Sequence, residues 1–234
     1  MKKPICIVDS RAPQAALARL AQEFEVLPFR TQNITYEAVS CHPDVFLFQY
    51  SDTVILAPNI PHKYKEFLHK RGVSFTEGST VIDETFSTSV AYNCAATKEY
   101  FFHKRGLTEE KILQCFKNHD FIQLPQAYTR CSMLAIENCA FITSDNGIEK
   151  VLQSRNFDVC YIRPQEISLP PYSHGFIGGC MGIFERKIYL LGALDFLPDG
   201  EMLRTFARAY DYEIVELYEG KLYDGGGLFF LKSE

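Results

Sequence analysis

Ser132-Met-Leu-Ala-Ile136 and Cys139-Ala-Phe-Ile-Thr143 are two strand-like runs, followed by a helical pattern from about Gly147 to Gln153 and a third strand-like run, Phe157-Asp-Val-Cys-Tyr-Ile162. The same order of strand, strand, helix and strand recurs along the chain. A unit of this size cannot bury its apolar face alone, so the units must stack or close into a ring. This repetition predicts the fold before any single residue does.

Four complete copies of the unit and one divided copy account for the chain. The N-terminal part has only a strand, a helix and a strand, and the chain ends with a strand that no helix follows. We expect this last strand, Gly227-Leu-Phe-Phe-Leu231, to complete the first unit, which would close a ring and leave no exposed sheet edge at the junction. The remaining predicted strands are 4–8, 25–27, 45–48, 53–56, 73–75, 90–92, 99–102, 121–124, 180–184, 187–191 and 212–217, and the remaining predicted helices are 13–24, 61–70, 108–118 and 199–209.

The composition is typical of one compact domain over residues 1–234. Hydrophobic residues make up 47% of the chain, which is ample for a core. The net charge is -5 and no long basic run is present, which argues against nucleic-acid binding. No stretch approaches the ~20 apolar residues of a membrane span, and the apolar run after Met1 is too short for a signal peptide. We expect a soluble cytoplasmic protein with no nucleic-acid or membrane partner, and both a monomer and a homodimer remain open.

The eight cysteines are spread evenly along the chain. They form no Cys-x-x-Cys pair and no Cys/His spacing of the zinc type. We therefore predict neither a metal site nor a cofactor. Without a secretion signal, disulfides are not expected either.

Polar, reactive and glycine residues are concentrated just before the first strand of each unit. In a closed ring the first strands lie nearest the axis, and the loops that precede them open towards one mouth. Glycines in such loops let a ligand approach the backbone closely. We therefore expect a small molecule to bind in an axial cavity. The loops are residues 41–44, 93–94, 128–132, 174–180 and 224–227.

Five such units in a ring resemble the pentein, or α/β-propeller, superfamily of α/β proteins. His42-Pro-Asp44 resembles the His-x-Asp strand of its guanidine-modifying members, and Arg130-Cys131-Ser132 resembles the strand that carries their nucleophilic cysteine. Asp224-Gly-Gly-Gly-Leu228 resembles the glycine-rich segment that precedes this cysteine. The resemblance covers essentially the whole chain and implies five ββαβ units in a propeller. It is closest to a bacterial branch distinct from the enzyme families of known substrate.

The chain departs from those enzymes in the position of its candidate cysteine. In the deiminases, amidinotransferases and dimethylarginine hydrolases, the glycine-rich segment and the cysteine belong to one C-terminal strand. Here Gly225–Gly227 is followed by apolar residues without a cysteine, and Cys131 lies two units after His42. A ring still permits both residues to face one cavity.

The resemblance implies a role for each candidate. The Cys131 thiolate would attack the central carbon of a guanidinium or amidine, His42 would transfer protons, and Asp44 would pair with the cationic fork. A lowered thiol pKa would come from Arg130 or a protonated His42, although strand alternation directs Arg130 to the opposite face. The candidate substrate-binding residues are Asp44, His174, Arg130 and Asp224.

Each candidate also has a structural interpretation. Cys131 at the start of an apolar strand is often a packed thiol, His42 before a proline is often a loop residue, and Asp44 is a plausible partner for a backbone N–H group. Two functions therefore stay open. One is a cysteine-dependent hydrolase or transferase acting on a guanidinium or amidine. The other is a non-catalytic pentein that binds a small molecule or a protein, as the ribosome anti-association factors of the superfamily do.

Overall fold

The computed structural model describes residues 3–232, and most of its strands fall into small sheets of one design. Within these residues, five sheets have three strands and one sheet has two. In each three-stranded sheet, one outer strand is antiparallel to the middle strand and the other is parallel to it. The five sheets are β17 (Phe229–Leu231), β1 (Ile5–Asp9) and β2 (Glu25–Phe29); β3 (Leu47–Tyr50), β4 (Thr53–Leu56) and β5 (Thr76–Glu77); β6 (Ala95–Ala96), β7 (Tyr100–His103) and β8 (Asp120–Gln123); β9 (Met133–Glu137), β10 (Ala140–Thr143) and β11 (Asp158–Tyr161); and β13 (Met181–Phe184), β14 (Lys187–Leu190) and β15 (Glu213–Glu216).

A helix joins the middle strand of each sheet to its parallel neighbour. In the fourth sheet the helix begins after Asp145, whose carboxylate accepts a hydrogen bond from the backbone N–H of Ile148. Ile148 and Leu152 lie on one face of this helix and are buried. The helices are α1 (Gln14–Glu23), α2 (His62–Lys70), α3 (Phe86–Ser89), α4 (Glu110–Cys115), α5 (Thr129–Ser132), α6 (Asn146–Ser154) and α7 (Gly200–Ala209).

The last strand completes the first sheet. β17 pairs antiparallel with β1, with Ile5 opposite Leu231 and Ile7 opposite Phe229. All four side chains are buried. This pairing ties the C-terminal segment to the N-terminal strand, as the sequence predicts.

The antiparallel outer strands of neighbouring sheets contact one another, which brings the loops before them together. β13 contacts both β17 and β9, and β9 contacts β6. β3 is linked to β17 by Gln49, whose side-chain amide donates to the carbonyl of Phe230 at 2.6 Å. The approach of β13 to β17 is close enough that a Cβ atom at Gly182 would lie 2.3 Å from the carbonyl oxygen of Leu228. Only glycine fits at this crossing.

The predicted strands at 90–92 and 73–75 are wrong. Val90–Tyr92 is apolar and buried, but its backbone forms turns, with hydrogen bonds from Ala91 to Thr88 and from Asn93 to Val90. The apolar pattern of these residues therefore reflects burial and not a strand. The strand of this sheet, β6, begins later in the chain. The third strand of the second sheet likewise begins after Phe75. One further pair, β12 (Ile167–Ser168) with β16 (Leu222–Tyr223), was not predicted.

Among residues 3–232, no helix combines the length and the apolar character needed to cross a bilayer.

Candidate functional site

Three of the loops that precede outer strands bring their polar side chains to one buried place. His42 directly precedes a short 3-10 helix before β3 and Asp44 lies within it, Cys131 lies in α5 before β9, and Asp224 lies before β17. We call these four residues the central cluster. Each of their side chains is at most 4% exposed. Polar groups that are buried together so completely must satisfy one another or bind something else.

Cys131 and Asp44 are joined directly. The Cys131 Sγ donates a hydrogen bond to Asp44 Oδ2 at 2.7 Å, across 87 positions of the sequence. Asn93 supports the pair, because its Oδ1 accepts from the Cys131 backbone N–H at 3.2 Å and its Nδ2 lies 3.8 Å from the Cys131 Sγ. The other carboxylate oxygen of Asp44, Oδ1, has no hydrogen-bond partner among the described residues.

The imidazole of His42 is also without a hydrogen bond. It is 1% exposed, and neither ring nitrogen has a partner within residues 3–232. Its Nε2 lies 3.9 Å from Asp9 Oδ2, which is too long for a hydrogen bond. Burial, together with the positive charge of Arg11, lowers the pKa of His42 to about 3, while the nearby backbone carbonyl of Asp224 acts in the opposite direction. The ring is therefore neutral at physiological pH.

Asp224 is fixed by the backbone. Its Oδ2 accepts from the N–H of Phe176 at 2.8 Å and its Oδ1 accepts from the N–H of Gly226 at 3.1 Å. Burial nevertheless raises the pKa of Asp224 to about 7, and it raises the pKa of Asp44 to about 6. Arg130 compensates the two buried carboxylates only in part, and a further cation near them would favour their charged forms.

Gly226 lets the chain enter this cluster. Its φ is +68°, in the region that favours glycine, and a Cβ atom there would lie 2.5 Å from the Cβ of His42 and 2.7 Å from Asp44 Oδ1. The glycine-rich segment that the sequence singles out thus packs directly against two members of the cluster.

Asp9, Arg11 and Tyr223 extend the cluster and were missed by the sequence analysis. Arg11 donates to both carboxylate oxygens of Asp9, at 3.3 Å and 3.1 Å, and Tyr223 donates to Asp9 Oδ2 at 3.0 Å. The sequence analysis considered only the loops before the first strand of each unit. Asp9 instead ends β1, a middle strand, so it was not selected. The sequence does indicate Asp9 in another way, because a carboxylate ends the otherwise apolar strand β1.

The backbone at Arg130 differs from the strand assumed in the sequence argument. The strand predicted from Ser132 begins at Met133, and Thr129–Ser132 forms the short helix α5, so strand alternation does not apply. Its guanidinium donates to the carbonyl oxygens of Gly178 at 2.7 Å and Met181 at 2.9 Å, and it stacks over Phe229. These contacts fasten the helix that carries Cys131 to the neighbouring sheet.

The lowered thiol pKa expected for Cys131 is not found. Burial, and then the charges of Asp44 and Asp224, raise the pKa of Cys131 well above its usual value. His42 is neutral, so it supplies no positive charge. The thiol is therefore protonated in the protein by itself.

His174 stands apart from the central cluster in its contacts. Its Nδ1 lies 3.1 Å from the carbonyl oxygen of Gly175, and its ring is edge-on to Phe176. No hydrogen bond within the described part of the chain joins it to Cys131, His42 or the carboxylates. Its neighbours Gly175 and Phe176 both contact Asp224.

Three side chains of the central cluster are close enough together to bind one metal ion. A ring nitrogen of His42, the Sγ of Cys131 and a carboxylate oxygen of Asp224 all lie within 4.8 Å of one another. Sequence spacing of the zinc type is absent because the three residues come from three distant loops.

The comparison of sequences places the chain in a family. Residues 7–229 match the family described as "Family of unknown function (DUF6873)". The chain belongs to this family. No curated protein matches its sequence.

Solved structures of guanidine-modifying enzymes are similar to this member of the DUF6873 family over nearly their whole length. Agmatine deiminase from C. jejuni has a TM-score of 0.59 at 6% identity, covering 92% of this chain and 87% of that one. An amidinotransferase of the saxitoxin pathway from Microseira wollei has a TM-score of 0.52 at 9% identity, covering 92% and 88%. DDAH from Pseudomonas aeruginosa, in a mutant complexed with citrulline, has a TM-score of 0.51 at 9% identity, covering 97% and 93%.

All three enzymes belong to the pentein superfamily, and the similarity shows that this chain shares their fold. The resemblance inferred from the sequence is confirmed at that level. At identities of 6% to 9% the similarity does not extend to individual residues.

Proposed function

We propose that the chain is a cysteine-dependent hydrolase or transferase that acts on a small guanidinium or amidine compound. The observation that carries this proposal is the meeting of Cys131, His42, Asp44 and Asp224 in one buried cluster, from loops that lie far apart in the sequence. A nucleophile, a proton carrier and carboxylates for a cation are the groups that this chemistry needs.

The carboxylates of Asp44 and Asp224 would bind the cation. Asp44 has an oxygen without a partner, and both groups are buried with too little positive charge around them. A planar guanidinium or amidinium offers paired N–H donors that match carboxylates. Its charge would also offset the two carboxylates that raise the pKa of the Cys131 thiol.

The reaction would begin with the transfer of the Cys131 proton to the neutral imidazole of His42. The thiolate would then form a bond to the central carbon, and His42 would return that proton to the departing amine. In a hydrolase, His42 would next take a proton from water, the hydroxide would attack the same carbon, and the S–C bond would break. In a transferase an acceptor amine would take the place of water. When the S–C bond breaks, the proton on His42 would return to the released Cys131 thiolate. In the hydrolase, the hydroxyl proton of the product would pass through solvent to the departed amine, which leaves as an ammonium ion.

We further propose that the five three-stranded sheets close into a single propeller with the cluster on its axis. The contacts between the outer strands of neighbouring sheets support this arrangement, as does the pairing of β17 with β1. The substrate would then approach along the axis. Tyr36 and Tyr128, whose hydroxyl groups are hydrogen-bonded to each other, lie close enough to Cys131 to interact with it electrostatically.

The test compares chloroacetamidine, which carries an amidinium, with neutral iodoacetamide at matched dose, followed by peptide mapping. The chain contains its own reference, because Cys115 and Cys139 are exposed and should react with both reagents without preference. We expect saturable labelling of Cys131 by the amidine and little labelling of it by iodoacetamide.

A Cys131→Ser variant should lose this labelling while its circular dichroism spectrum stays the same, and a Cys115→Ser variant should keep it. If Cys131 shows no preference for the amidine over iodoacetamide, the proposed chemistry is wrong. The binding function that the sequence leaves open would then be the better interpretation.

A further inference from the structure

We infer that His42, Cys131 and Asp224 form a binding site for a divalent metal ion of the zinc type. The inference does not rest on the proposed function, although both use His42, Cys131 and Asp224. Within residues 3–232, these three residues form a group of nitrogen, sulfur and oxygen ligands whose atoms lie within 4.8 Å of one another. All three are buried, which distinguishes the group from chance clusters of acidic residues on a surface.

The imidazole of His42 is the strongest indication of a missing ligand. Buried ring nitrogens are normally hydrogen-bonded, yet neither nitrogen of His42 has a partner among the described residues. A metal ion is a suitable partner for a neutral imidazole in such a place. The Oδ1 of Asp44 is another buried polar atom without a hydrogen-bond partner among the described residues.

Hydrogen bonds from outside the group hold the other two ligands in place. Asp224 receives one N–H on each carboxylate oxygen, from Phe176 and Gly226, and each oxygen keeps a lone pair for an ion. The backbone of Cys131 is held by Asn93. Metal sites characteristically have such supporting contacts, which orient the ligands before the ion binds.

The charges also balance around a divalent ion. Asp9 is paired with Arg11, so the unpaired groups are Asp44, Asp224 and the thiolate that Cys131 would become. Of the described cations, Arg130 interacts electrostatically with all three. One divalent ion would neutralise the two negative charges that remain.

The ligand types favour zinc over magnesium or calcium. Thiolate and imidazole suit zinc, whereas magnesium and calcium take oxygen ligands. Zinc lies about 2.0 to 2.3 Å from its ligands in a tetrahedron, so ligand atoms end about 3.5 Å apart. The three ligand atoms, which lie up to 4.8 Å apart, would therefore have to move closer together when the ion binds.

The test titrates the purified, chelator-treated chain with Co²⁺ and follows the thiolate-to-cobalt absorption in the near ultraviolet and the visible bands of a tetrahedral ion. We expect one equivalent to bind, and Zn²⁺ to displace it. Cys131→Ser should remove the thiolate band, and His42→Ala and Asp224→Asn should weaken binding by at least about tenfold. Cys115→Ser and Cys139→Ser, which remove exposed thiols, are the matched controls and should leave the spectrum unchanged.

Absence of the thiolate band in the unaltered chain would overturn the inference, whatever the variants do. Retention of the band in folded Cys131→Ser would overturn it as well, because the sulfur would then come from another cysteine. Amidine labelling carried out in the presence of a chelator is a separate readout. Failure of that labelling alone contradicts the proposed enzyme chemistry and leaves the metal site standing.

Discussion

The Cys131 thiol donates a hydrogen bond to a carboxylate, Asp44 Oδ2, at 2.7 Å. This arrangement favours the protonated thiol, because the carboxylate accepts a hydrogen bond from the S–H group and would repel a negatively charged thiolate. The protein by itself therefore presents an unreactive sulfur beside an anionic site. A cation that enters the site, whether organic or metallic, is the event that would change this state.

Asp44→Asn should remove the preference of Cys131 for the amidine reagent. The amide keeps the shape of the side chain but not the charge that pairs with an amidinium. Loss of a charge-assisted hydrogen bond of about 1.5 to 3 kcal/mol predicts that the ratio of amidine to iodoacetamide labelling falls at least about tenfold. Asp52→Asn, on an exposed aspartate, is the matched control and should leave the ratio unchanged. An unchanged ratio in Asp44→Asn would mean that this carboxylate does not recognise the cation.

Arg130→Lys should destabilise the protein by about 2 kcal/mol, because a lysine cannot donate to the carbonyls of both Gly178 and Met181 in the geometry of the guanidinium. Urea unfolding at pH 7 measures this change. Arg155→Lys removes a guanidinium from a surface ion pair with Asp120 and should cost less than about 0.5 kcal/mol. Equal losses in the two variants would contradict the fastening role assigned to Arg130.

Gly226→Ala should be much more destabilising than Gly106→Ala. Both glycines have positive φ, but a Cβ at Gly106 meets nothing within 4 Å, whereas a Cβ at Gly226 meets His42 and Asp44. We expect about 1 kcal/mol for the backbone conformation alone and about 3 kcal/mol or more where the packing clash is added. The difference between the two unfolding free energies therefore measures how tightly the glycine-rich segment packs on the cluster. Similar costs would show that the loop relaxes away from His42.

The sequence predicts the sheets better than the cluster, for identifiable reasons. Short continuous apolar runs locate strands such as Thr53–Leu56 to the residue, because burial of the strand determines both the pattern and the structure. Four residues, Thr129–Ser132, are too few for a helical period to be visible, so the sequence argument about Arg130 assumed a strand where the structure has a helix. The raised pKa of Cys131 depends on burial and on Asp44 and Asp224, which the sequence alone does not bring near it.

Glu109→Gln should make the protein less stable at pH 7, and the loss should shrink in acid. The carboxylate is buried, which would raise its pKa, but a side-chain hydrogen bond with Thr80 and hydrogen bonds from the backbone of Ser79, Lys111 and Thr80 lower the pKa to about 2. Because the folded pKa lies below the usual value of 4.5, the carboxylate stabilises the fold above that value. This contribution, about 2 to 3 kcal/mol, is lost as the pH falls from about 4.5 towards 2.

Urea unfolding of both proteins at pH 7 and at pH 3 measures the effect. The difference in unfolding free energy between the unaltered chain and Glu109→Gln should be largest at pH 7 and clearly smaller at pH 3. The neighbouring Glu110 is exposed, so Glu110→Gln should show a small difference at both values. A difference for Glu109→Gln that is independent of pH would mean that the lost stability comes from packing rather than from the charge held by these three N–H groups.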